Sequence, residues 1–205
     1  MNLVCLAGHT IDESLLPEDP VVLDVGCRSF DFCQEILNIR PSARIIAMDP
    51  DPDMEDPQMA GVEFVNKALV FGDKASSGYA SYSTGEGNML TDLESYYDAR
   101  MLTVECVQIA RLMEDLDIEY WDLVKLDCEG SEFDILANWP GPIANQISVE
   151  FHDGHPQREG AHREPHERYF NSLWSRLADY KVVQHIFFKQ GDWFGHWDSL
   201  FVLNG

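Results

Sequence analysis

Three aspartates next to apolar segments are the residues of this sequence best placed to bind a ligand. Asp24 lies two positions before Gly26, Asp49 follows the apolar run 43–48, and Asp127 follows the run 123–126. The C-terminal ends of parallel strands meet at one edge of an open α/β sheet, and such sheets bind their ligands there. Carboxylates at that edge accept hydrogen bonds from hydroxyl or ammonium groups. The pattern therefore predicts a site for a polar small molecule.

Asp49 is the candidate for binding a ribose. It lies 25 residues after Asp24. An acid at the end of the second strand, about twenty residues past a glycine turn, accepts hydrogen bonds from the hydroxyls of a nucleoside. The alternative is that the segment 49–53, in which aspartates alternate with prolines, is only an acidic turn. The spacing favours the ribose.

Lys125 and Asp127 lie two residues apart in an apolar strand, which places their side chains on the same face. Charges inside a buried strand are costly unless they are paired, so we expect Lys125 to pair with Asp127 or a neighbouring acid. Glu129 and Gly130 follow at the end of the strand. One interpretation is a ligand site, and the alternative is a buried ion pair without a chemical role.

Histidines are concentrated after the strand 144–151, where His152, His155, His162 and His166 fall within fifteen positions. Imidazoles and carboxylates are common ligands of divalent metal ions. The spacing matches no zinc motif, however, and the glycines and prolines between these histidines indicate a loop. A bound metal is therefore possible but not expected. Its candidate ligands are Asp127, Glu150 and His152.

An alternating series of strands and helices must position these residues. Apolar segments typical of strands lie at 21–25, 43–48, 62–69, 102–107, 121–127 and 144–151, and helical spacing of apolar residues occurs at 32–39, 107–113, 133–137 and 166–177. Two further strands, 180–188 and 198–203, are joined by a loop too short for a crossover helix, so they should be antiparallel. The predicted fold is an open α/β sheet, mostly parallel, with helices on both faces and an antiparallel C-terminal strand pair.

The chain is most simply one domain, because its 205 residues with 45% apolar content suffice for a single core. Residues 1–20 are predicted to be a loose lead-in that packs across the sheet edge. Residues 72–100 are predicted to be a loop or insertion over the site, because they are rich in glycine and serine, with a helix over 90–97. The proline-rich loop that ends at residue 61 leaves no room for a long helix after Asp49.

Charge and cysteine content narrow the choice of partners. The formal net charge of −22 disfavours binding to nucleic acid or to an anionic membrane. The five cysteines are scattered and never spaced as Cys-x-x-Cys, which is typical of reduced thiols in a cytoplasmic protein. No apolar run approaches the length of a membrane span or a signal peptide. A small molecule is the expected partner.

Four motifs carry a resemblance to a known family. They are Asp24-Val25-Gly26, the segment 47–52, the segment 66–69 and, above all, the segment 121–132. The last of these is similar to the signature Asp-x-x-Lys-x-Asp-x-Glu-Gly-x-Glu. On these motifs the sequence resembles the FkbM family of class I, Rossmann-like, S-adenosylmethionine-dependent methyltransferases.

The resemblance implies a role for each candidate site residue. Asp24 and Gly26 would shape the methionine pocket, with Cys27 and Arg28 in the same loop. Asp49 would bind the ribose, and the segment Asn66-Lys67-Ala68 would lie by the adenine. Asp127 would face the methionine moiety or the reaction centre. The implied reaction is O-methylation of a sugar, a polyketide or another small hydroxylated molecule, with S-adenosylmethionine as cofactor.

A hydroxyl acceptor benefits from a general base. His152 and Asp127 are the catalytic candidates, because each lies at or just past the end of a central strand, where the acceptor must approach. His152 is the hypothesis for the base. Methyl transfer itself depends mainly on alignment in a site closed to water.

The loop after Gly26 departs from the family pattern. Related enzymes carry further glycines there, whereas this chain has Cys27, Arg28, Ser29 and Phe30. Arg28 could pair with the carboxylate of the cofactor, or the bulky side chains could block cofactor binding. The second outcome would indicate a non-catalytic Rossmann-like protein that binds a ligand or a partner. An enzyme that uses a nicotinamide dinucleotide is disfavoured, since the motif Gly-x-Gly-x-x-Gly is missing and the final strands are antiparallel.

Overall fold

The computed structural model describes residues 1–70, 78–84, 89–90, 100–153, 173, 176–190 and 194–205. Its elements are, in chain order, β1 (Leu3–Leu6), β2 (His9–Asp12), β3 (Val21–Val25), α1 (Asp31–Ile39), β4 (Arg44–Met48), β5 (Val62–Val65), β6 (Ala68–Leu69), β7 (Tyr79–Thr84), β8 (Met89–Leu90), β9 (Arg100–Val107), α2 (Ile109–Leu116), β10 (Leu123–Leu126), α3 (Glu132–Ala137), β11 (Gln146–Asp153), β12 (Tyr180–Gln190) and β13 (Phe194–Leu203). A short 3₁₀ turn, Glu13–Leu15, follows β2.

Seven strands form the main sheet, in the order β12-β13-β11-β10-β3-β4-β5. The strands β11, β10, β3, β4 and β5 are parallel to their neighbours in this series. Strand β13 is antiparallel to β11 and to β12. The predicted mostly parallel sheet with an antiparallel C-terminal pair is therefore confirmed. The C-terminal ends of β3, β4, β10 and β11 meet at one edge, as the sequence predicted.

Alternating strand residues bury both faces of this sheet. On one face Val22 and Ile45 pack with Phe32 and Ile36 of α1. On the other face the apolar strand residues pack with α2 and α3, which contribute Leu112, Phe133 and Leu136 among others. Helices on both faces are thus confirmed. Burial at roughly 25 cal/mol per Å² of apolar surface makes these two layers the main source of stability.

The N-terminal segment is more ordered than the predicted loose lead-in. Strands β1 and β2 form an antiparallel hairpin that lies on the α1 face of the sheet rather than across its edge. The backbone N–H of Asp12 donates to Oε1 of Gln146 at 2.8 Å, and Nε2 of Gln184 donates to Oγ1 of Thr10 at 2.7 Å. These hydrogen bonds fix β2 above β11, so its first residue reaches the ligand edge of the sheet.

The segment 62–69, predicted as one strand, is divided into two strands of different sheets. β5 ends the main sheet, while β6 pairs with β9 in a four-stranded sheet of order β6-β9-β7-β8. Nδ2 of Asn66 donates to the backbone oxygens of Asp49 at 2.9 Å and Asp51 at 2.7 Å. These hydrogen bonds connect the residues between β5 and β6 to the turn after β4, which separates the two strands.

Other predictions lie partly or wholly outside the described residues. The described parts of the predicted loop 72–100 contain β7 and β8 and the first residue of β9, so this region contributes to a sheet. The predicted helix over 90–97, most of the predicted helix over 166–177, and the histidines at 155, 162 and 166 fall outside the described residues. Residues 49–61 contain no helix, as predicted. None of the helices in the described ranges is both long and apolar enough to cross a bilayer.

Candidate cofactor and active site

A cleft opens at the C-terminal ends of β3, β4 and β10. Six of the nine residues that the sequence predicted to bind a cofactor line it, namely Gly26, Arg28, Asp49, Lys67, Ala68 and Asp127. Tyr82, from the small sheet, also lines the cleft and was not predicted. The remaining three predicted residues, Asp24, Cys27 and Asn66, do not line it. The cleft thus lies where an open α/β sheet binds its ligand.

A second cavity lies between the hairpin and α1. It shares Gly26, Arg28 and Asp127 with the cleft, and its other lining residues include His9, Asp24 and Cys27. The glycine turn therefore separates two adjoining cavities. Asp24 and Cys27 belong to the second cavity rather than to the cleft.

The turn after β3 requires glycine at position 26. Gly26 has φ +80°, and a Cβ at this position would lie 1.7 Å from the backbone oxygen of Asp127. Its N–H donates to the backbone oxygen of Met48 at 2.8 Å. The backbone of β3 therefore approaches the ends of both β4 and β10, and any side chain at Gly26 would force them apart.

The side chain of Lys125 stabilises this turn. Its Nζ donates to the backbone oxygen of Gly26 at 2.7 Å and lies 3.0 Å from Oδ1 of Asp24 and 3.6 Å from Oδ2 of Asp127. Burial would lower the pKa of Lys125, but the carboxylates of Asp24 and Asp127 outweigh it and raise the pKa above its ordinary value. The predicted pairing of Lys125 is confirmed. We refer to Asp24, Lys125 and the backbone oxygen of Gly26 as the lysine hub.

Asp49 is held at the other side of the cleft by the turn that follows β4. Its Oδ1 accepts a hydrogen bond from the N–H of Asp51 at 2.9 Å, and only 7% of the residue is exposed. Burial raises the pKa of Asp49 above its ordinary value, and the charge of Asp51 adds to this effect. Asp49 therefore belongs to the acidic turn and also lines the cleft, so the two interpretations of this segment are compatible. The side chain of Asn66 donates hydrogen bonds to the backbone oxygens of this turn.

Neither bulky residue of the departing loop fills the cleft. The ring of Phe30 packs edge-on against Phe64, with 5.4 Å between ring centroids, on the α1 face of the sheet. Arg28 is exposed and lines both cavities at their common rim. Phe30 takes a left-handed backbone, with φ +58°, and thereby starts α1. The loop thus leaves the space between Asp49 and Asp127 open.

His152 lies inside β11, not in the loop that the sequence predicted after it. Its Nδ1 is 3.2 Å from Oε1 of Glu132. Its Nε2 is 3.3 Å from Glu150, 3.7 Å from Glu129 and 3.8 Å from Asp127. We refer to His152 and these four acids as the histidine cluster.

The acids of the histidine cluster determine the protonation state of the His152 ring. Burial would lower the pKa of His152, but the hydrogen bonds and charges of Glu132 and Glu150, with the charge of Glu129, raise it to about 11. At neutral pH the ring therefore already carries the proton that a general base would accept. Its role as base stays a prediction.

Asp127 has a partner that the sequence did not reveal. Nε2 of His9, the first residue of β2, lies 3.4 Å from Oδ2 of Asp127, and His9 is only 2% exposed. Burial would raise the pKa of Asp127, but His9 and Lys125 outweigh it and hold the pKa at about 2. The one local signal was Gly8, a turn residue followed by the alternating pair His9 and Ile11.

Glu132, the last acid of the 121–132 motif, shapes the turn after β10. Its carboxylate accepts hydrogen bonds from the N–H groups of Cys128 at 2.7 Å and Gly130 at 2.9 Å, and it is fully buried. Within this turn Glu129 has φ +53°. Burial raises the pKa of the Cys128 thiol well above its ordinary value, and burial together with Asp24 raises that of Cys27. Neither thiol is therefore poised as a nucleophile.

Comparisons with known proteins agree with this geometry. A family model described as the methyltransferase FkbM domain matches residues 24–184. The 2-O-methyltransferase NoeI of Sinorhizobium fredii is 25% identical over 152 residues, which cover 64% of this chain and 63% of NoeI. The alignment thus spans less than two thirds of that relative. The fibrillarin pre-rRNA processing protein of Methanococcus jannaschii matches with a TM-score of 0.55 at 10% identity, over 97% of this chain and 71% of that one, which shows a shared fold.

Proposed function

The chain belongs to the FkbM methyltransferase family, and we propose that it transfers the methyl group of S-adenosylmethionine to a hydroxyl oxygen of a small molecule. The observation that carries this proposal is that Asp49 and Asp127 line one cleft on either side of the Gly26 turn. Two acids in this arrangement suit the two polar ends of an adenosyl-methionine, since both ends donate hydrogen bonds to carboxylates.

The lining of the cleft indicates the orientation of the cofactor. The ribose hydroxyls would donate to Asp49, and the adenine would lie against Lys67, Ala68 and Tyr82. The methionine ammonium group would face Asp127, and its carboxylate would reach Arg28 at the rim of the second cavity. The sulfonium would then lie beside Asp127 at the edge of the histidine cluster, where negative charge stabilises it.

The reaction is an in-line displacement. The acceptor oxygen forms a bond to the methyl carbon while the carbon–sulfur bond breaks, and sulfur keeps that electron pair and becomes a neutral thioether. The hydroxyl proton leaves to a base at the strand ends. Asp127 is the candidate that is ionised at neutral pH, and His152 would serve only after losing its own proton. The protein contributes mainly alignment of oxygen, carbon and sulfur, and exclusion of water by the walls of the cleft.

A small hydroxylated acceptor, such as a sugar or a polyketide, suits the surroundings of the cleft. The acids of the histidine cluster accept hydrogen bonds from hydroxyl groups. The net charge of −22 disfavours a polyphosphate acceptor. The similarity to NoeI, a 2-O-methyltransferase, supports oxygen as the methylated atom.

Incubation of the chain with methyl-labelled S-adenosylmethionine and a panel of sugars, polyols and polyketides tests this function. We expect label in a product whose mass has increased by one methyl group. Asp127→Asn should abolish transfer, because it removes a charge next to the sulfonium, whereas Glu114→Gln on the exposed face of α2 should leave transfer unchanged. The proposal fails if the folded chain neither binds the cofactor nor labels any acceptor.

A further inference from the structure

We propose that the carboxyl ends of β10 and β11, together with the hairpin, form a binding site for a divalent transition-metal cation. Its ligands would be His9, Asp127, Glu150 and His152, with Glu129 completing the set. These side chains come from three separate parts of the chain and meet around Asp127, which lines both the cleft and the second cavity. Of these ligands, sequence analysis had considered only Asp127, Glu150 and His152.

The donor atoms fall into two groups of three that share Asp127. The ligand atoms of His9, Asp127 and Glu150 all lie within 4.8 Å of one another, and so do those of Asp127, Glu129 and His152. Donors bound at about 2.1 Å to a tetrahedral or octahedral cation are roughly 3.0–3.4 Å apart. The observed separations of 3.3 to 3.8 Å around Nε2 of His152 exceed this only slightly. A cation bound to Asp127 would meet one group directly and the other after side-chain rotation.

Glu132 orients the ring of His152 toward the other acids. It lies 3.2 Å from Nδ1, and its own position is fixed by the N–H groups of Cys128 and Gly130. Nε2 is thereby directed at Asp127, Glu129 and Glu150. Metal-binding histidines commonly have this arrangement, in which a carboxylate holds one ring nitrogen and the metal binds the other.

His9 gives an independent indication of a ligand. The residue is 2% exposed, and its Nδ1 has no hydrogen-bond partner in the part of the chain that the structure describes. Its Nε2 points into the cluster, 3.4 Å from Asp127. Burial of a polar ring is unfavourable unless its nitrogen atoms are engaged. A cation at Nε2 would add a strong interaction on the side of the ring that faces Asp127.

The balance of charge also favours a cation. Among the residues that the structure describes, four carboxylates surround His152, and Lys125 already contacts Asp24 and the Gly26 backbone. Two imidazoles combined with carboxylates suit Mn²⁺ or Zn²⁺ better than Mg²⁺ or Ca²⁺, which prefer oxygen ligands. Because Asp127 and Glu129 also line the cleft, the cation would hold an acceptor oxygen there. This last role rests on the proposed function, but the binding does not.

Titration of the metal-stripped chain with Mn²⁺, followed by the paramagnetic resonance signal of the free ion, tests the proposal. We expect one bound ion per chain, which Zn²⁺ displaces more readily than Mg²⁺ does. Glu150→Gln and His9→Gln should weaken Mn²⁺ binding at least tenfold. The matched controls are Glu114→Gln, an exposed acid on α2, and His185→Gln, an exposed residue of the edge strand β12 whose ring contacts Ser199. They should bind as the parent chain does.

Two results would overturn the site. One is that neither Mn²⁺ nor Zn²⁺ binds at millimolar concentration, and the other is that site and control variants bind equally. Should His9→Gln fail to fold, as judged by circular dichroism, Glu129→Gln replaces it, because 36% of that side chain is exposed. Binding of S-adenosylhomocysteine in excess chelator is measured on the same samples. If it binds while the metals do not, the metal site fails and the proposed function stands.

Discussion

A buried lysine and a half-buried histidine lie at the ends of neighbouring strands, and their surroundings differ. Lys125 in β10 has three donor hydrogens and three acceptors near them, namely Asp24, Asp127 and the backbone oxygen of Gly26. His152 in β11 has two ring nitrogens and four carboxylates within 3.8 Å. Lys125 therefore faces two carboxylates, whereas His152 faces four among the described residues.

This difference in surroundings distinguishes residues that stabilise the site from residues that bind a ligand. A buried cation whose donor hydrogens are all engaged fixes the backbone around it and has no donor free for a ligand. Acceptors in excess over donors remain costly until a ligand supplies a hydroxyl, an ammonium group or a cation. We therefore assign a structural role to the lysine hub and a ligand-binding role to the histidine cluster.

Lys125→Met should have the largest effect on stability. It leaves Asp24 and Asp127 as buried carboxylates without their cation, and we expect unfolding in urea to require about 3–5 kcal/mol less free energy. A loss below about 1 kcal/mol, the value typical of exposed ion pairs, would show that the lysine hub does not support the sheet edge.

Gly26→Ala should disable the cleft while the rest of the fold persists. Its Cβ would collide with the backbone of Asp127, so the turn must move away from β10. We expect calorimetry to show affinity for S-adenosylhomocysteine at least about 100-fold weaker, equivalent to about 2.7 kcal/mol. Gly141→Ala is the control, because Gly141 also has a positive φ of +123° but nothing within 4 Å of an added Cβ. Equal affinities in the two variants would contradict the account of the turn.

Asp49→Asn should weaken binding and stabilise the unliganded chain. Loss of a charged acceptor for the ribose hydroxyls should reduce the affinity for S-adenosylhomocysteine by about 1.5–3 kcal/mol. Because the pKa of Asp49 is raised in the folded state, its ionisation at neutral pH opposes folding, and acidification through that pKa removes the penalty. Urea unfolding should therefore show the variant more stable than the parent at pH 7 and the two nearly equal near pH 3. A variant less stable than the parent at pH 7 would contradict this reading.

Lys67→Met should have the smallest effect. Although Lys67 lines the cleft, its Nζ lies 3.0 Å from Glu105, and both side chains are about half exposed. Exposed pairs of this kind contribute about 0–1 kcal/mol, so the free energy of unfolding should change by no more than this. The affinity for S-adenosylhomocysteine should change less than about threefold, equivalent to about 0.7 kcal/mol. A tenfold loss of affinity would place the ammonium group of Lys67 in contact with the cofactor.

The sequence predicted the parts of this site that lie in continuous motifs. Asp24, Gly26, Lys125 and Asp127 belong to the strands β3 and β10 and the turns that follow them, and periodicity places such residues at one edge of the sheet. The pairing of Lys125 followed from the cost of burying a lone charge. Local patterns and pairing rules were sufficient here because each residue is positioned by its own strand.

The sequence did not predict contacts made across distant segments. His9 reaches Asp127 because side-chain bonds from Gln146 and Gln184 hold β2 above β11, and no local pattern encodes those bonds. The break after β5 depends in the same way on bonds from Asn66 to a turn 15 to 17 positions earlier. The sequence also placed His152 in a loop, since Gly154 and Pro156 follow it closely.

A crystal structure of the chain with S-adenosylhomocysteine tests the central claim most directly. The account predicts both ribose hydroxyls within hydrogen-bond distance of the Asp49 carboxylate, and the sulfur atom beside Asp127 at the edge of the histidine cluster. A ligand bound elsewhere, or one whose ribose contacts neither Asp49 nor its turn, would contradict it.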